Sequence, residues 1–180
     1  MLFRSLLSGN GTLNINHAAT FTDLTMSSTS SALIGSGDRT INGAFNWGSG
    51  TLGGTGVTTV TSAGSLQKTT SGSGTLASTL INDSANAANA WTAGHVRFTG
   101  GTFVNNGLMD FRPSNFQLQN ISGTNQVTNT GTLTGNSIST AFVLVPFDNS
   151  GTVDAQAGTI SFEQGGVSTG GTFTGSAGTV

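Results

Sequence analysis

One short pattern recurs seven times along this chain of 180 residues. Its clearest copy is Phe147-x-Asn149-x-Gly151-x-Val153, in which apolar residues flank a small polar residue and a glycine. The copies are separated by about 20 to 24 residues, which is in the range of solenoid repeats. Their glycine positions are Gly43, Gly64, Ser84 (where serine replaces glycine), Gly107, Gly131, Gly151 and Gly171, and four of these are preceded by Asn82, Asn105, Asn129 and Asn149.

Each copy is followed by a second strand-like run, such as "GTLA" (74–77), "HVRF" (95–98) or "GTISF" (158–162). The connections are rich in Gly, Ser, Thr and Asn and are too short for the crossover helix of a βαβ unit. A fixed period with matched side-chain register favours coils stacked about 4.8 Å apart, with like residues above like. We therefore predict an all-β fold, a parallel β-solenoid of roughly eight coils. We expect it to be right-handed, because parallel crossovers in a sheet almost always are. An antiparallel β-sandwich built from the same strands is the alternative.

The pattern is not uniform along the chain. Residues 1–40 fit it badly, so we expect them to form irregular first coils or an N-terminal cap that takes part in assembly. Residues 41–180 are predicted to form one continuous solenoid domain, in which each coil is stabilised mainly by its neighbours.

Two segments carry a resemblance to a known class of protein. "FDNSGTVDAQAGTISFEQGGVSTGGTF" (147–173) and "GAFNWGSGTLGGTGVTTV" (43–60) resemble the repeats of large bacterial secreted or surface-attached proteins of the adhesin and autotransporter-passenger type. The resemblance covers most of the chain from about residue 40. It implies a right-handed β-helix, export to the cell surface or the medium, and a structural or adhesive role.

Charge and composition exclude several partners and cofactors. The net charge is −2, and the five basic residues are scattered, whereas a nucleic-acid surface needs clustered positive charge. No apolar run approaches the length of a membrane helix, so we expect no membrane insertion. The chain has no cysteine, and its two histidines lie far apart, so we expect no disulfide, no metal site and no cofactor.

Two acidic residues and one arginine are the best candidates for chemistry. Period-two alternation places Asp154 on the outer surface, and Asp110 takes the equivalent place two coils earlier, about 10 Å away. Thr134 takes that place in the coil between them, and Arg112 is the nearest base. Carboxylates at such a separation can serve glycoside hydrolysis, so Asp110, Arg112 and Asp154 form a candidate ligand-binding cluster. The competing interpretation is that both acids are solvated residues of an outer face.

Threonines and tryptophans indicate two further kinds of surface. Thr-x-Thr pairs such as Thr59/Thr61 and Thr128/Thr130 suit ice or glycan binding, but they shift relative to the glycine positions and skip coils. Trp47 and Trp91 could stack on sugar rings. Both follow alternating runs, which favours the core.

The sequence as a whole predicts a non-enzymatic, extracellular structural or adhesive solenoid. We expect its partners to be further copies of itself joined head to tail, or adjacent repeats of a longer chain, with surface glycans as a further partner. The alternatives are a polysaccharide lyase or glycosidase, and a glycan- or ice-binding module.

Overall fold

The computed structural model describes residues 2–113 and 115–180 and contains 21 β-strands, all of which pair in parallel. The strands are β1 (Leu2–Leu7), β2 (Thr12–Asn14), β3 (Ala19–Met26), β4 (Ala32–Ile34), β5 (Arg39–Ile41), β6 (Ala44–Trp47), β7 (Gly50–Leu52), β8 (Thr58–Val60), β9 (Ser65–Lys68), β10 (Gly74–Leu76), β11 (Thr79–Asn82), β12 (Ala90–Trp91), β13 (Val96–Thr99), β14 (Thr102–Asn105), β15 (Leu108–Phe111), β16 (Gln117–Ser122), β17 (Gln126–Asn129), β18 (Thr132–Leu144), β19 (Phe147–Asn149), β20 (Thr152–Phe162) and β21 (Thr172–Thr174).

The strands form three stacks, and the chain passes through each stack once per coil. Stack 1 contains β2, β4, β7, β10, β13, β16 and the C-terminal parts of β18 and β20. Stack 2 starts with the N-terminal parts of β1 and β3 and continues through β5, β8, β11, β14, β17 and β19. Stack 3 starts with the C-terminal parts of β1 and β3 and continues through β6, β9, β12, β15, the N-terminal parts of β18 and β20, and β21.

This pairing confirms the all-β parallel solenoid of about eight turns and excludes the antiparallel sandwich. The strands of one stack are separated in sequence by about one repeat, so each strand finds its hydrogen-bonding partners in the coils before and after it. No helix occurs among residues 2–113 and 115–180.

The core is a set of apolar rows that run from coil to coil. One row on stack 3 contains Leu24, Phe45 and Leu66, and it continues beyond the next coil with Met109, Leu133 and Val153. These side chains are buried, because alternation along each strand turns every second residue inward. Trp47 and Trp91 are fully buried as well, which confirms the core placement favoured for them.

The 1–40 stretch, predicted as irregular first coils or a cap, contains strands that join the same stacks. β2 pairs with β4 through Leu13 and Leu33, and β3 pairs with β5 through Thr20 and Thr40. This stretch also has an irregularity of its own, a register shift in β1 at residues 3 and 4. The parallel stacking therefore includes strands from this part of the chain.

Candidate functional site

The two candidate carboxylates lie in one row on the outer side of stack 3. The strand register runs from Ala90 through Asp110, Thr134 and Asp154 to Thr174. Asp110 and Asp154 therefore occupy equivalent places two coils apart with Thr134 between them, as the repeat pattern predicts. Two inter-coil steps separate them by about 10 Å.

Asp110 is not a solvated surface residue. It is 6% exposed, and its Oδ2 accepts a 2.6 Å hydrogen bond from Nε of Arg112, whose side chain is half-exposed. The other oxygen, Oδ1, is buried and has no hydrogen-bond partner. Arg112 follows Asp110 by two residues, so strand alternation brings both side chains to the same face. The pair is a local ion pair along one strand end.

Asp154 accepts hydrogen bonds from residues of the last coil. Its Oδ1 accepts hydrogen bonds from Oγ1 of Thr174 at 2.9 Å and from the backbone N–H of Ser176 at 3.3 Å. Its Oδ2 accepts a further bond from Oγ of Ser176 at 3.2 Å. These bonds, the one from Thr174 foremost, lower the pKa of the Asp154 carboxyl below its usual value.

The cluster thus consists of two carboxylates with separate partners. An acid/base pair for glycoside cleavage needs both carboxylates turned toward one substrate, whereas here Asp110 is held by Arg112 and Asp154 by Thr174 and Ser176. Within residues 2–113 and 115–180, no group of three or more His, Asp or Glu side chains is placed to hold a metal ion.

The asparagines of the repeat form a buried ladder inside stack 2. Nδ2 of Asn82 donates to Oδ1 of Asn105 at 2.9 Å, Asn105 donates to Asn129 at 2.8 Å, and Asn129 donates to Asn149 at 2.9 Å. Each amide also donates its second hydrogen to a carbonyl of the next coil, as Asn105 does to Thr132 at 3.0 Å. A buried amide costs free energy unless it is hydrogen-bonded, and this ladder bonds each amide to the next coil.

The glycine that follows Asn105, Asn129 and Asn149 by two residues is a consequence of close packing at the same corner. A Cβ added at Gly131 would lie inside contact distance of the carbonyl oxygen of Gly107, and one at Gly151 would do the same at Gly131. Gly107 has this relationship to Ser84. Glycine occurs at these three positions because backbone stacks directly on backbone, whereas Ser84 is accommodated in its coil and donates from Oγ to the carbonyl oxygen of Gly64 at 2.6 Å.

Lys68 is a buried charged residue of the core that the repeat pattern did not reveal. It is 0% exposed, and Nζ donates to the carbonyl oxygens of Gly48 at 2.6 Å, Thr70 at 3.3 Å and Gly72. Burial lowers the pKa of its amine from 10.5 to about 8. The sequence did contain a signal for the burial of Lys68. In "SLQK" (65–68) Leu66 faces inward, so period-two alternation turns Lys68 inward as well.

Arg39 is a second buried cation. Its guanidinium donates to the carbonyl oxygens of Gly35 and Gly53, both at 3.0 Å, and more weakly to Gly56 at 3.4 Å and Oγ1 of Thr58 at 3.3 Å. Burial lowers the pKa of Arg39, and the nearby charge of Asp38 opposes this effect. Alternation in "RTI" (39–41), with Ile41 in the core, was the corresponding signal.

The outer side of stack 2 aligns threonines that are out of step with the glycine positions in the sequence. Strand register places Thr20, Thr40 and Thr59 in one row on three consecutive coils. The row then passes through Ile81 and Val104 before it reaches Thr128. The shift between these threonines and the glycine positions in the sequence therefore does not prevent the threonines from aligning in the strands. Apolar residues interrupt the threonine row, so it does not run through every coil.

Comparison with protein-family models gave no match, and neither did comparisons with curated proteins or with solved structures. In residues 2–113 and 115–180 there is no helix of the length and apolar character needed to cross a membrane.

Proposed function

We propose that this chain is a non-enzymatic structural element, a stiff solenoid segment of a bacterial secreted or cell-surface protein with a structural or adhesive role. The observation that carries the proposal is the buried asparagine ladder, in which Asn82, Asn105, Asn129 and Asn149 bond four successive coils together. Polar side chains that are used for internal bonding between coils support mechanical cohesion along the rod.

The environment of the carboxylates supports the same proposal over an enzyme. Asp110 is paired with Arg112, and Asp154 is hydrogen-bonded to Thr174 and Ser176. The two carboxylates are therefore not directed toward one another. Incubation with a panel of polysaccharides should therefore give no turnover. Cleavage of any of them that is lost in both Asp110→Ala and Asp154→Ala would replace this proposal with a glycoside-cleaving enzyme.

The end coils support a partner that is itself a β-coil. In the last coil, Phe173 continues the core row of Leu133 and Val153 and is 44% exposed, and in the first strand Leu7 lies beside the core residue Met26 and is only partly buried. We propose that these surfaces receive further coils, either from a second copy stacked head to tail or from adjacent repeats of a longer chain. A head-to-tail contact that does not close into a ring produces filaments.

Negative-stain electron microscopy and light scattering over a concentration series test this self-association. We expect the chain to form filaments whose length grows with concentration, and Phe173→Asp or Leu7→Asp to shorten them. Ile138→Asp is the matched control, because Ile138 is 93% exposed at a corner between stacks 3 and 1 on β18, which β20 separates from the last coil. Monodisperse particles at every concentration would show that copies do not stack, and equal effects of the three variants would show that the end surfaces are not the contact.

A second candidate is binding of glycans or ice by the outer side of stack 2. The alignment of Thr20, Thr40 and Thr59 on three consecutive coils favours it. A glycan array and a thermal-hysteresis measurement separate the two ligands. We expect any such signal to fall in Thr40→Tyr, which places a bulky ring in the middle of the row, and not in Ile138→Tyr.

A further inference from the structure

Lys68 occupies a row in which the neighbouring coils carry large apolar side chains. On the inner side of stack 3 the register places Met26 beside Trp47 and Trp91 beside both Lys68 and Phe111. The pairing of Asn46 with Gln67 brings Trp47 next to Lys68. An apolar side chain would match its neighbours in this row, so the presence of the charged amine of Lys68 has to be explained separately.

The ammonium group of Lys68 meets three carbonyl oxygens. They belong to Gly48, in the turn after β6, and to Thr70 and Gly72, in the turn after β9. A protonated amine has three N–H donors and no acceptor, so these three oxygens match it in number and polarity. The two ion pairs found in the described part of the chain involve other residues, and no carboxylate contacts Lys68.

The turns enclose this group on a further side. Gly94, in the turn after β12, has φ +70°, and a Cβ added there would lie 2.9 Å from Nζ of Lys68. Oγ1 of Thr70 also donates to the carbonyl oxygen of Gly48 at 2.5 Å. Carbonyl dipoles that converge in a buried space repel one another unless a donor or a cation lies between them.

We propose that this corner of the solenoid is a binding site for a primary amine or ammonium group, recognised by its N–H donors, and that the chain fills it with the amine of Lys68. These N–H groups join the turns of two consecutive coils, where the regular strand ladder is interrupted. Arg39 supports the proposal independently, since it is a second buried cation that donates to the carbonyls of Gly35, Gly53 and Gly56 in neighbouring turns. The proposal concerns the cohesion of the fold and goes beyond the function proposed above.

The competing explanation is that Lys68 acts only through its aliphatic stem, as filler between Trp47 and Trp91. Lys68→Met separates the two, because methionine keeps most of the apolar volume and removes the charge. If the carbonyls need these N–H donors, we expect the Tm of Lys68→Met to fall by about 5–10 °C, given the size of the chain and three unpaired oxygens. A Tm equal to or above that of the wild type would support the filler and overturn the proposal.

Chemical rescue tests the class of ligand. In Lys68→Ala the amine and its stem are missing, and we expect methylammonium or ethylammonium chloride to raise the Tm of this variant in a saturable way. Tetramethylammonium chloride, which has no N–H donor, and sodium chloride at equal concentration are the matched controls, and the wild type should not respond to any of the salts. Equal effects of methylammonium and tetramethylammonium would overturn the assignment.

A measurement on the unaltered protein keeps the proposal testable if Lys68→Ala does not fold. Lys68 is the sole lysine of the sequence, so nitrogen-15 labelling of lysine gives a single side-chain signal. We expect that signal to be an ammonium group with slow proton exchange below the pKa of about 8. Rapid exchange typical of a solvated lysine, or a neutral amine well below that pH, would overturn it.

Discussion

Nδ2 of Asn105 donates a hydrogen bond to Oδ1 of Asn129 at 2.8 Å, and Oδ1 of Asn105 accepts one from Asn82 at 2.9 Å, so this amide is bonded on both sides inside the solenoid. Asn105→Leu removes both bonds and leaves the neighbouring amides with buried unpaired groups. We expect a loss of about 2–4 kcal/mol in the free energy of unfolding, measured by urea denaturation.

The control is the adjacent residue. Asn106 is exposed and donates to Asp83 on the surface, so Asn106→Ala should change the free energy of unfolding by less than about 1 kcal/mol. Equal effects at the two positions would show that the ladder adds nothing to stability.

The glycine positions give a second prediction. Gly131→Ala places a Cβ against the carbonyl oxygen of Gly107, and backbone cannot move aside as a flexible side chain can. We expect destabilisation of about 2–4 kcal/mol, since overpacking in a dense interior typically costs about 1–3 kcal/mol and sometimes more. The matched control is Gly53→Ala, where the nearest atom to the new Cβ is 3.5 Å away. If Gly53→Ala proves as damaging as Gly131→Ala, direct backbone stacking is not the reason for the repeat glycine.

Stability should depend on pH between about 8 and 10.5 because of Lys68. Burial lowers the pKa of its amine in the folded chain from 10.5 to about 8, so within this window the folded state has lost the proton while the unfolded state still binds it. Stability therefore rises with pH across the window, by up to about 3 kcal/mol for a shift of this size. Below pH 8 both states carry the charge and the burial cost is fully present.

Composition makes this effect measurable in isolation. The chain has no tyrosine and no cysteine, so apart from the terminal amine no other group is expected to titrate in the same range. Denaturation at a series of pH values should give a slope in the wild type and a flat line in Lys68→Met. A flat line in both would mean that Lys68 keeps its ordinary pKa in the fold.

Asp154 is expected to order the last coil. Its pKa is lowered by the hydrogen bonds from Thr174 and Ser176, so its contribution is present above the usual carboxyl pKa of 3.8 and is lost as the pH falls through the lower folded value. Asp154→Asn should speed amide hydrogen exchange around Ser176 at neutral pH. Glu163→Gln, which removes a charge from the same coil, should leave this exchange unchanged. Similar exchange in the two variants would argue against the role of Asp154.

Much of the fold could be predicted from the sequence, because the residues that recur in each repeat are the residues that pair between neighbouring coils. Asn82, Asn105, Asn129 and Asn149 align in the sequence, and the structure bonds them in that order. The threonine rows were harder to predict. Four residues lie between β8, which contains Thr59, and β9, but only two lie between β17, which contains Thr128, and β18. Turn lengths therefore vary between coils while the strands keep register, so spacing to the glycine does not show which threonines align.

The buried charges show why the candidate site was less predictable. Alternation alone turns Arg39 and Lys68 inward, but charged residues are almost never fully buried unless their charge is satisfied. The groups that satisfy them are carbonyl oxygens of glycine-rich turns, and no side-chain pattern marks where such oxygens converge. Asp110 is a similar case, because its burial follows from the packing of neighbouring coils and from Arg112.

The asparagine ladder also gives the rod a direction. Every amide in it donates toward the C-terminal coil, from Asn82 to Asn105, Asn129 and Asn149, so the amide dipoles add along the axis. Within these four coils, a coil of reverse orientation would set donor against donor or acceptor against acceptor. The ladder therefore fixes one polarity for the coils that it joins, which are stacked in steps of about 4.8 Å.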